Sequence, residues 1–192
     1  IDRRNRYVPG GQMWVTESGD AGCGGNTWAP TYLDVPRTLN ELGEFSTVTD
    51  GIIFHNTLAS SAYGFLEHGT FLPRPNYFAV LLWNKLMGKT VYETGEAIRE
   101  GAHVYAHSRK DGKDGLVYLV INNSRTDTTD VELPKEAEAY ILEGQGKLRS
   151  RVMTLNGEPL TLGENDTLPE LKGKTVSGKV KLNPGSCAFF VL

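Results

Sequence analysis

Glu17 is the side chain here best suited by type and position to nucleophilic or acid–base work. It closes an apolar, β-branched run and stands directly before a loop with four glycines, Gly19, Gly22, Gly24 and Gly25. A carboxylate at the end of a buried strand faces whatever the following loop encloses. Glycines in that loop permit close backbone approach and can present N–H donors to a carboxylate or hydroxyl. The same residue also suits a solvated strand end before a flexible turn. His55 and Asn56 hold the equivalent place after a second apolar run, Gly51 to Phe54, where a hydrogen-bonded structural histidine is an equal reading. Tyr63, in the small-residue loop Ala59 to Gly64, can reach over a ligand with its hydroxyl or simply pack. Retaining glycoside hydrolysis needs two carboxyl groups about 5 Å apart across the scissile bond. Asp20 and Glu67 are the other loop carboxylates near the presumed mouth, and neither makes a convincing partner for Glu17. His103 and His107 lie four apart in an alternating stretch, which reads as structural rather than as a helical metal pair. The sequence contains no serine elbow, phosphate loop or cysteine–histidine spacing for another chemistry.

The elements that must position these residues change character near Gly88. Before it, Gln12 to Thr16 reads as a buried strand behind the breaker Pro9-Gly10-Gly11. From Trp28 the apolar residues recur three or four apart through Leu42, predicting a helix that stops at Gly43, with Pro36 in its first turn or at a kink. The strand Gly51 to Phe54 and a helix from Tyr77 to Leu86, closed by Gly88, repeat the pattern. Strand, loop, helix, twice over, is the grammar of parallel α/β architecture, with ligand-binding loops at the strands' C-terminal ends. After Gly88 come short alternating runs, His103–His107, Leu116–Ile121, Thr129–Leu133, Ala139–Leu142, Arg151–Leu155 and Ala188–Leu192, separated by turn residues. They predict an antiparallel sandwich.

At 192 residues the chain holds one large domain or two small ones, too little for a complete enzyme barrel with an accessory domain. A composition 39% hydrophobic and 22% charged sets disorder and fibrous classes aside. The net charge of −3, without blocks of one sign, argues against nucleic acid or an anionic membrane as partner. No apolar run is long enough to span a bilayer. The opening Ile1 to Arg6 reads as the exposed end of a helix, as though the chain starts in the middle of something. Cys23 and Cys187 are too few for a disulfide scaffold, and two free thiols are the simpler expectation, with a single bridge as the alternative. Two glycosylation tripeptides, at Asn122 and Asn165, are close to chance and leave localisation unknown, with secretion or a periplasmic site as the suggestion they raise.

Seven segments in order carry a resemblance: Trp14 to Gly19 with Gly24-Gly25; His55-Asn56 to Tyr63; Pro73 to Phe78; Leu86-Met87-Gly88; and, in the tail, Val152 to Gly157, Asn165 to Pro169 and Ala188 to Val191. They resemble glycoside hydrolase family 79, the heparanase and β-glucuronidase family, over nearly the whole chain. The resemblance implies that residues 1–88 are the last two βα units of a (β/α)8 barrel and residues 89–192 a β-sandwich packed on it. It implies Glu17 as catalytic nucleophile, Gly24 and Gly25 as N–H donors to a sugar carboxylate, His55 and Asn56 on the eighth strand, and Tyr63 assisting. The glycine loop is longer than in heparanase and the Tyr63 loop shorter. The family's acid/base glutamate falls on an earlier strand that these residues do not include, so a separate N-terminal chain or segment must complete the barrel.

The expectation is therefore a retaining hydrolase of β-linked glucuronic acid in glycans or glycosides, needing no metal or other cofactor. The rival is a non-catalytic carbohydrate-binding or scaffold fragment, motivated by the missing second carboxylate. Another retaining family with a strand-end glutamate and a similar sandwich is the third possibility.

Overall fold

The computed structural model describes residues 1–95 and 101–192. In chain order its elements are α1 (Asp2–Tyr7), β1 (Val15–Ser18), α2 (Asp34–Val48), β2 (Ile53–His55), α3 (Pro75–Leu86), β3 (Met87–Tyr92), β4 (Ala102–Arg109), β5 (Leu116–Asn122), β6 (Thr129–Glu132), β7 (Ala137–Gly144), β8 (Met153–Leu155), β9 (Glu158–Pro159), β10 (Lys174–Val176), β11 (Lys179–Leu182) and β12 (Cys187–Val191). No helix among the described residues is long and apolar enough to cross a membrane.

β1 and β2 pair in parallel, Val15 opposite Ile53 and Ser18 opposite His55. The sequence predicts a buried first strand that Glu17 ends; β1 instead runs one residue further, from Val15 through Ser18. Nor is the strand buried. Only two strands form this sheet, and Trp14, Ile52 and Phe54 stay 51%, 48% and 45% exposed. Trp14 and Phe54 rest on each other, their ring centroids 6.1 Å apart, with nothing packed over them to exclude water.

The first long helix also differs from its predicted span. Trp28 to Leu33 is a series of turns in which Ala29 N bonds Asn26 O and Thr31 N bonds Trp28 O. Pro30 accounts for this, since it donates no hydrogen bond and biases Ala29 away from helical backbone. α2 begins at Asp34, places Pro36 in its first turn as expected, and runs past Gly43 to Val48. Gly43 is a packing residue rather than a stop, because a Cβ there would lie 2.4 Å from the Tyr105 ring. In α3, Pro75 takes the first helical position, where its missing N–H costs nothing, and Phe78, Ala79, Leu82 and Leu86 form the buried stripe. Gly88 does not close this helix: Met87 is its C-cap residue, donating its N–H to Trp83 O, and Met87 and Gly88 then open β3.

The alternating segments after Gly88, apart from Thr129–Leu133, join one antiparallel sheet ordered β3-β4-β5-β12-β7-β8-β9, with β10 also pairing with β7. The short strands β3, β9, β10 and β11 were not legible as periodic runs. β12 is central and wholly buried, and its two-residue period sends Phe189 to one face and Phe190 to the other. On the first face Phe189, Leu119, Ile121, Tyr140 and Leu142 pack on Val35 and Leu39 of α2 and Phe78 and Leu82 of α3. On the second face Phe190, Val120 and Ala139 pack under the β6–β11 ribbon through Leu133 and Leu182. Covering both faces explains why β5 and β12 read as nearly unbroken apolar runs. The strands thus form an eight-stranded sheet with a separate two-stranded ribbon packed on its second face. Tyr32 pins the turn before α2 to this sheet, its hydroxyl donating to Leu142 O (2.6 Å) and Gly185 O (3.0 Å). The two cysteines are free thiols; Cys23 is exposed, while burial pushes the Cys187 thiol up to about 12.

Candidate active site

Parallel pairing of β1 with β2 sets Glu17 beside Asn56, the residue that follows β2, 39 positions away in sequence. Asn56 Nδ2 donates to Glu17 Oε1 at 2.7 Å and lies 3.4 Å from the Tyr63 hydroxyl. An amide N–H aimed at one carboxylate oxygen fixes its rotamer and leaves Oε2 without a partner among the described residues. Glu17 is exposed on the open face of the two strands, and three of the expected site residues, Glu17, Asn56 and Tyr63, are together.

His55 is nearby but turned elsewhere. Its Nε2 meets Tyr63 O at 2.8 Å and its ring stacks on Phe65 with centroids 4.1 Å apart. Of the two readings open for it, the hydrogen-bonded packing histidine matches these contacts. The Asn56–Thr57 peptide bond that follows is cis.

Tyr63 is 4% exposed, and its ring lies between the backbones of Gly19 and Gly25. Gly25 has φ +89°, and a Cβ there would sit 2.5 Å from the Tyr63 ring and 2.6 Å from Asp20 Oδ1. Only glycine meets both conditions. Gly24 O accepts from Ala62 N at 2.8 Å, joining the two loops, while Gly25 N points back to Gly22 O at 3.5 Å. Asp20 holds the glycine loop shut, its Oδ2 accepting from Asn26 N (2.9 Å) and Asn26 Nδ2 (2.8 Å). Glu67 belongs to a different part of the surface, where it pairs with Arg151 at 3.0 Å.

Sequence reasoning gave no role to the residues beneath this arrangement. Asn76 Nδ2 donates both to Tyr63 O (2.9 Å) and to Asp34 Oδ2 (2.9 Å). Asp34, fully buried, also receives Arg37 Nε at 2.5 Å and Thr38 Oγ1 at 3.2 Å. Burial alone would lower the pKa of Arg37, but its bonds to Asp34 and Glu41 outweigh that and raise it. Arg74 Nη1 gathers the carbonyls of Ser61 (2.6 Å), Ala62 (2.7 Å) and Gly64 (3.2 Å), clamping both sides of Tyr63. Two sequence cues pointed here: the spacing of Asp34 with Arg37 and Thr38, which suits side-chain pairing on one helix, and the segment Pro73 to Phe78, which holds Arg74 and Asn76.

His103 and His107 are structural, as expected. His103 Nδ1 meets Asn40 Oδ1; His107 spans Gly88 O (2.9 Å) and Ser46 Oγ (3.1 Å), with Trp83 edge-on at 5.1 Å. Burial holds both of them and His55 below their ordinary pKa; the Tyr63 carbonyl and then Asp34 at His55, Glu44 near His103 and the Gly88 carbonyl at His107 offset this only in part. A depressed folded pKa means that the unfolded chain binds more protons on acidification. Stability from these groups is therefore complete above the unfolded value of about 6.5 and declines as pH falls below it. The urea midpoint should be lower at pH 5 than at pH 7.5, and His107→Gln should shrink the difference; equal midpoints at both pH values would refute this.

No protein-family model matches the chain. Baicalin-beta-D-glucuronidase from Scutellaria baicalensis is 30% identical over 92% of the chain and 35% of its own length. Heparanase-like protein 1 from Arabidopsis thaliana is 30% identical over 97% of the chain and 41% of its own length. Inactive heparanase-2 from Homo sapiens is 27% identical over 98% and 36%. The chain thus spans 35–41% of the length of these curated relatives. Among solved structures, a family 30 xylanase from Clostridium acetobutylicum superposes with a TM-score of 0.60 at 13% identity, covering 95% of this chain and 43% of that one. An arabinofuranosidase gives a TM-score of 0.59 at 17% identity, covering 84% and 38%. The fold, mixed helix and sheet with a large antiparallel sheet, is therefore one found within glycoside hydrolases. Together with the 27–30% identity to curated proteins over most of its length, this makes the chain a sequence relative of the heparanase and β-glucuronidase family, glycoside hydrolase family 79.

Proposed function

We propose that this chain is part of a retaining glycoside hydrolase that releases β-linked glucuronic acid from a glycan or glycoside. In this reading residues 1–88 are the last two βα units of a (β/α)8 barrel and residues 89–192 a β-sandwich-type domain. Glu17 attacks the anomeric carbon as the bond to the leaving oxygen breaks, giving a glycosyl ester. A glutamic acid outside this chain protonates the leaving oxygen, then as a base takes a proton from the water that attacks the anomeric carbon and frees Glu17. Gly24 and Gly25 donate to the substrate carboxylate, with Tyr63, Asn56 and His55 lining or bracing the sugar site.

The observation that carries this reading is the 2.7 Å hydrogen bond by which Asn56 holds Glu17 at the ends of two parallel strands, beside the Tyr63 hydroxyl. The exposed apolar residues Trp14, Ile52 and Phe54 support the existence of further barrel strands supplied by sequence outside the chain, since two strands leave that face wet. The substrate class follows from the names of the relatives.

The non-catalytic reading, in which the chain binds or scaffolds carbohydrate, is favoured by one observation: a relative named as inactive matches 98% of the chain. A mechanism-based covalent inhibitor shaped like glucuronic acid separates the two. Incubated with the longer protein and followed by peptide mapping, it should add its mass at Glu17. An unlabelled Glu17 in folded protein, under conditions that label a known β-glucuronidase, supports the scaffold reading instead.

A further inference from the structure

A hollow of about 320 Å³ opens where the segment leading into α3 meets the chain on either side of the β8–β9 hairpin. Glu17, Asn56, Tyr63 and the glycine loop do not line it. Leu72, Pro73 and Phe78 supply apolar surface from the first segment, and Val152, Leu160 and Leu162 from the second. Leu72 is 50% exposed, so part of that surface stays wet.

Three charged side chains are set into this surface: Arg74, Arg151 and Glu67. Arg151 Nη1 pairs with Glu67 Oε1 at 3.0 Å near the protein surface, Arg151 being 67% exposed. Arg74 differs. Its Nη1 is taken by three neutral carbonyls, its Nε is buried without an acceptor, and its Nη2 bonds nothing among the described residues. Arg4, Arg37 and Arg109, with side chains 20–23% exposed, each hold a carboxylate, from Asp50, from Asp34 and Glu41, and from Asp111. Among the described residues Arg74 is the one partly buried arginine that holds none. Burial depresses its pKa, the positive charge of Arg151 adds to this, and Glu67 and Asp34 restore only part. A desolvated guanidinium without a counter-charge is unfavourable, and an anion beside it recovers much of that cost.

We propose that this hollow binds a small carboxylic acid with an apolar body, its carboxylate on Arg74 and Arg151 and its hydrocarbon on Leu72, Phe78, Leu160 and Leu162. Guanidinium forks match a planar carboxylate. A cavity about half this size takes benzene, so a body of about a dozen heavy atoms fits. A hydrophilic anion would leave the leucines wet, and a neutral hydrocarbon would leave Arg74 without a counter-charge. Alkyl and aryl acids share this chemistry, and the test separates them.

The test is calorimetric titration of the longer protein with octanoate and 4-phenylbutyrate, with octanol, octylammonium and acetate as comparisons. The better of the two acids should bind about tenfold or more tightly than every comparison, and which of them it is tells an alkyl from an aryl ligand. Glu67→Gln should strengthen its binding about threefold or more, since Arg151 is then free and a competing carboxylate is gone. Such a gain cannot come from misfolding. Arg151→Gln, at an exposed position, should weaken binding about fivefold or more, Arg74→Gln at least as much, and added salt should weaken it too. Affinity should be the same in Glu17→Gln, so the result is independent of whether Glu17 is a nucleophile. The proposal is overturned if neither acid binds, if octanol or octylammonium binds as tightly as the better acid, or if Glu67→Gln and Arg151→Gln both leave its affinity unchanged.

Discussion

Glu17→Gln in the longer protein should lower kcat by about 10³-fold or more while leaving the thermal midpoint nearly unchanged. A 10³-fold loss corresponds to about 4 kcal/mol of barrier, the scale expected when the attacking group itself is removed. The substitution isolates that group well. Asn56 donates to one oxygen of Glu17, and the glutamine carbonyl can accept the same hydrogen bond, so the local geometry survives while the nucleophilic carboxylate does not. Glu17 is exposed and makes no ion pair among the described residues, so folding has little reason to respond. Substrate affinity should change far less than turnover, because the groups placed around the sugar are untouched. Near-normal turnover of a glucuronide by the folded variant would remove Glu17 from the mechanism and leave the scaffold reading in place.

How far the sequence reveals such a site depends on the range of the interactions that build it. Glu17 and Asn56 were legible because each closes or follows an apolar run, and Tyr63 because it is the one aromatic in a small-residue loop; parallel pairing then brings the ends of the two runs together. The strands of the large sheet were legible wherever both faces are covered, as in β5 and β12, since burial on two sides leaves an apolar run. What stayed hidden depends on partners distant in sequence. The burial of β1 could not be judged from its own residues, because a strand's exposure is set by what lies over it. Gly43 looked like a helix terminus because nothing local reveals the Tyr105 ring against it, 62 residues later. β10 and β11 are short, carry exposed lysines and owe their existence to the registers of β7 and β6. The brace beneath Tyr63 was invisible for the same reason: Asp34 and Asn76 are 42 residues apart, and nothing local to either shows that they meet.

That brace carries the largest expected effect on stability. Asp34 is fully buried and accepts hydrogen bonds from Arg37, Thr38 and Asn76, so Asp34→Ala strips an acceptor from two buried donors, Thr38 and Asn76, and a partner from the partly exposed Arg37. Removing one partner of a buried charge pair costs about 3–5 kcal/mol, because the remaining charge stays desolvated. Arg37 keeps Glu41 at 2.5 Å and is partly exposed, which places the expected loss toward the lower end of that range. Asp34→Asn keeps an acceptor for Asn76 while losing the charge opposite Arg37, and should fall between the alanine variant and the wild type in urea denaturation. A loss below about 1 kcal/mol for Asp34→Ala would show that the pair contributes little. The effect on turnover distinguishes what holds Tyr63. The Asn76 amide spans Asp34 and the Tyr63 carbonyl, while Arg74 grips the carbonyls on either side of that residue. If Asp34 anchors the loop through Asn76, kcat at a temperature where the variant is fully folded should fall several-fold as the Tyr63 hydroxyl loses its position beside Asn56. If kcat holds while stability drops, the Arg74 clamp suffices and Asp34 serves the fold alone. Glu17→Gln and Asp34→Ala thus predict opposite signatures, the first lost in turnover and kept in stability, the second lost first in stability, and that opposition separates the residue that reacts from the residue that holds the frame.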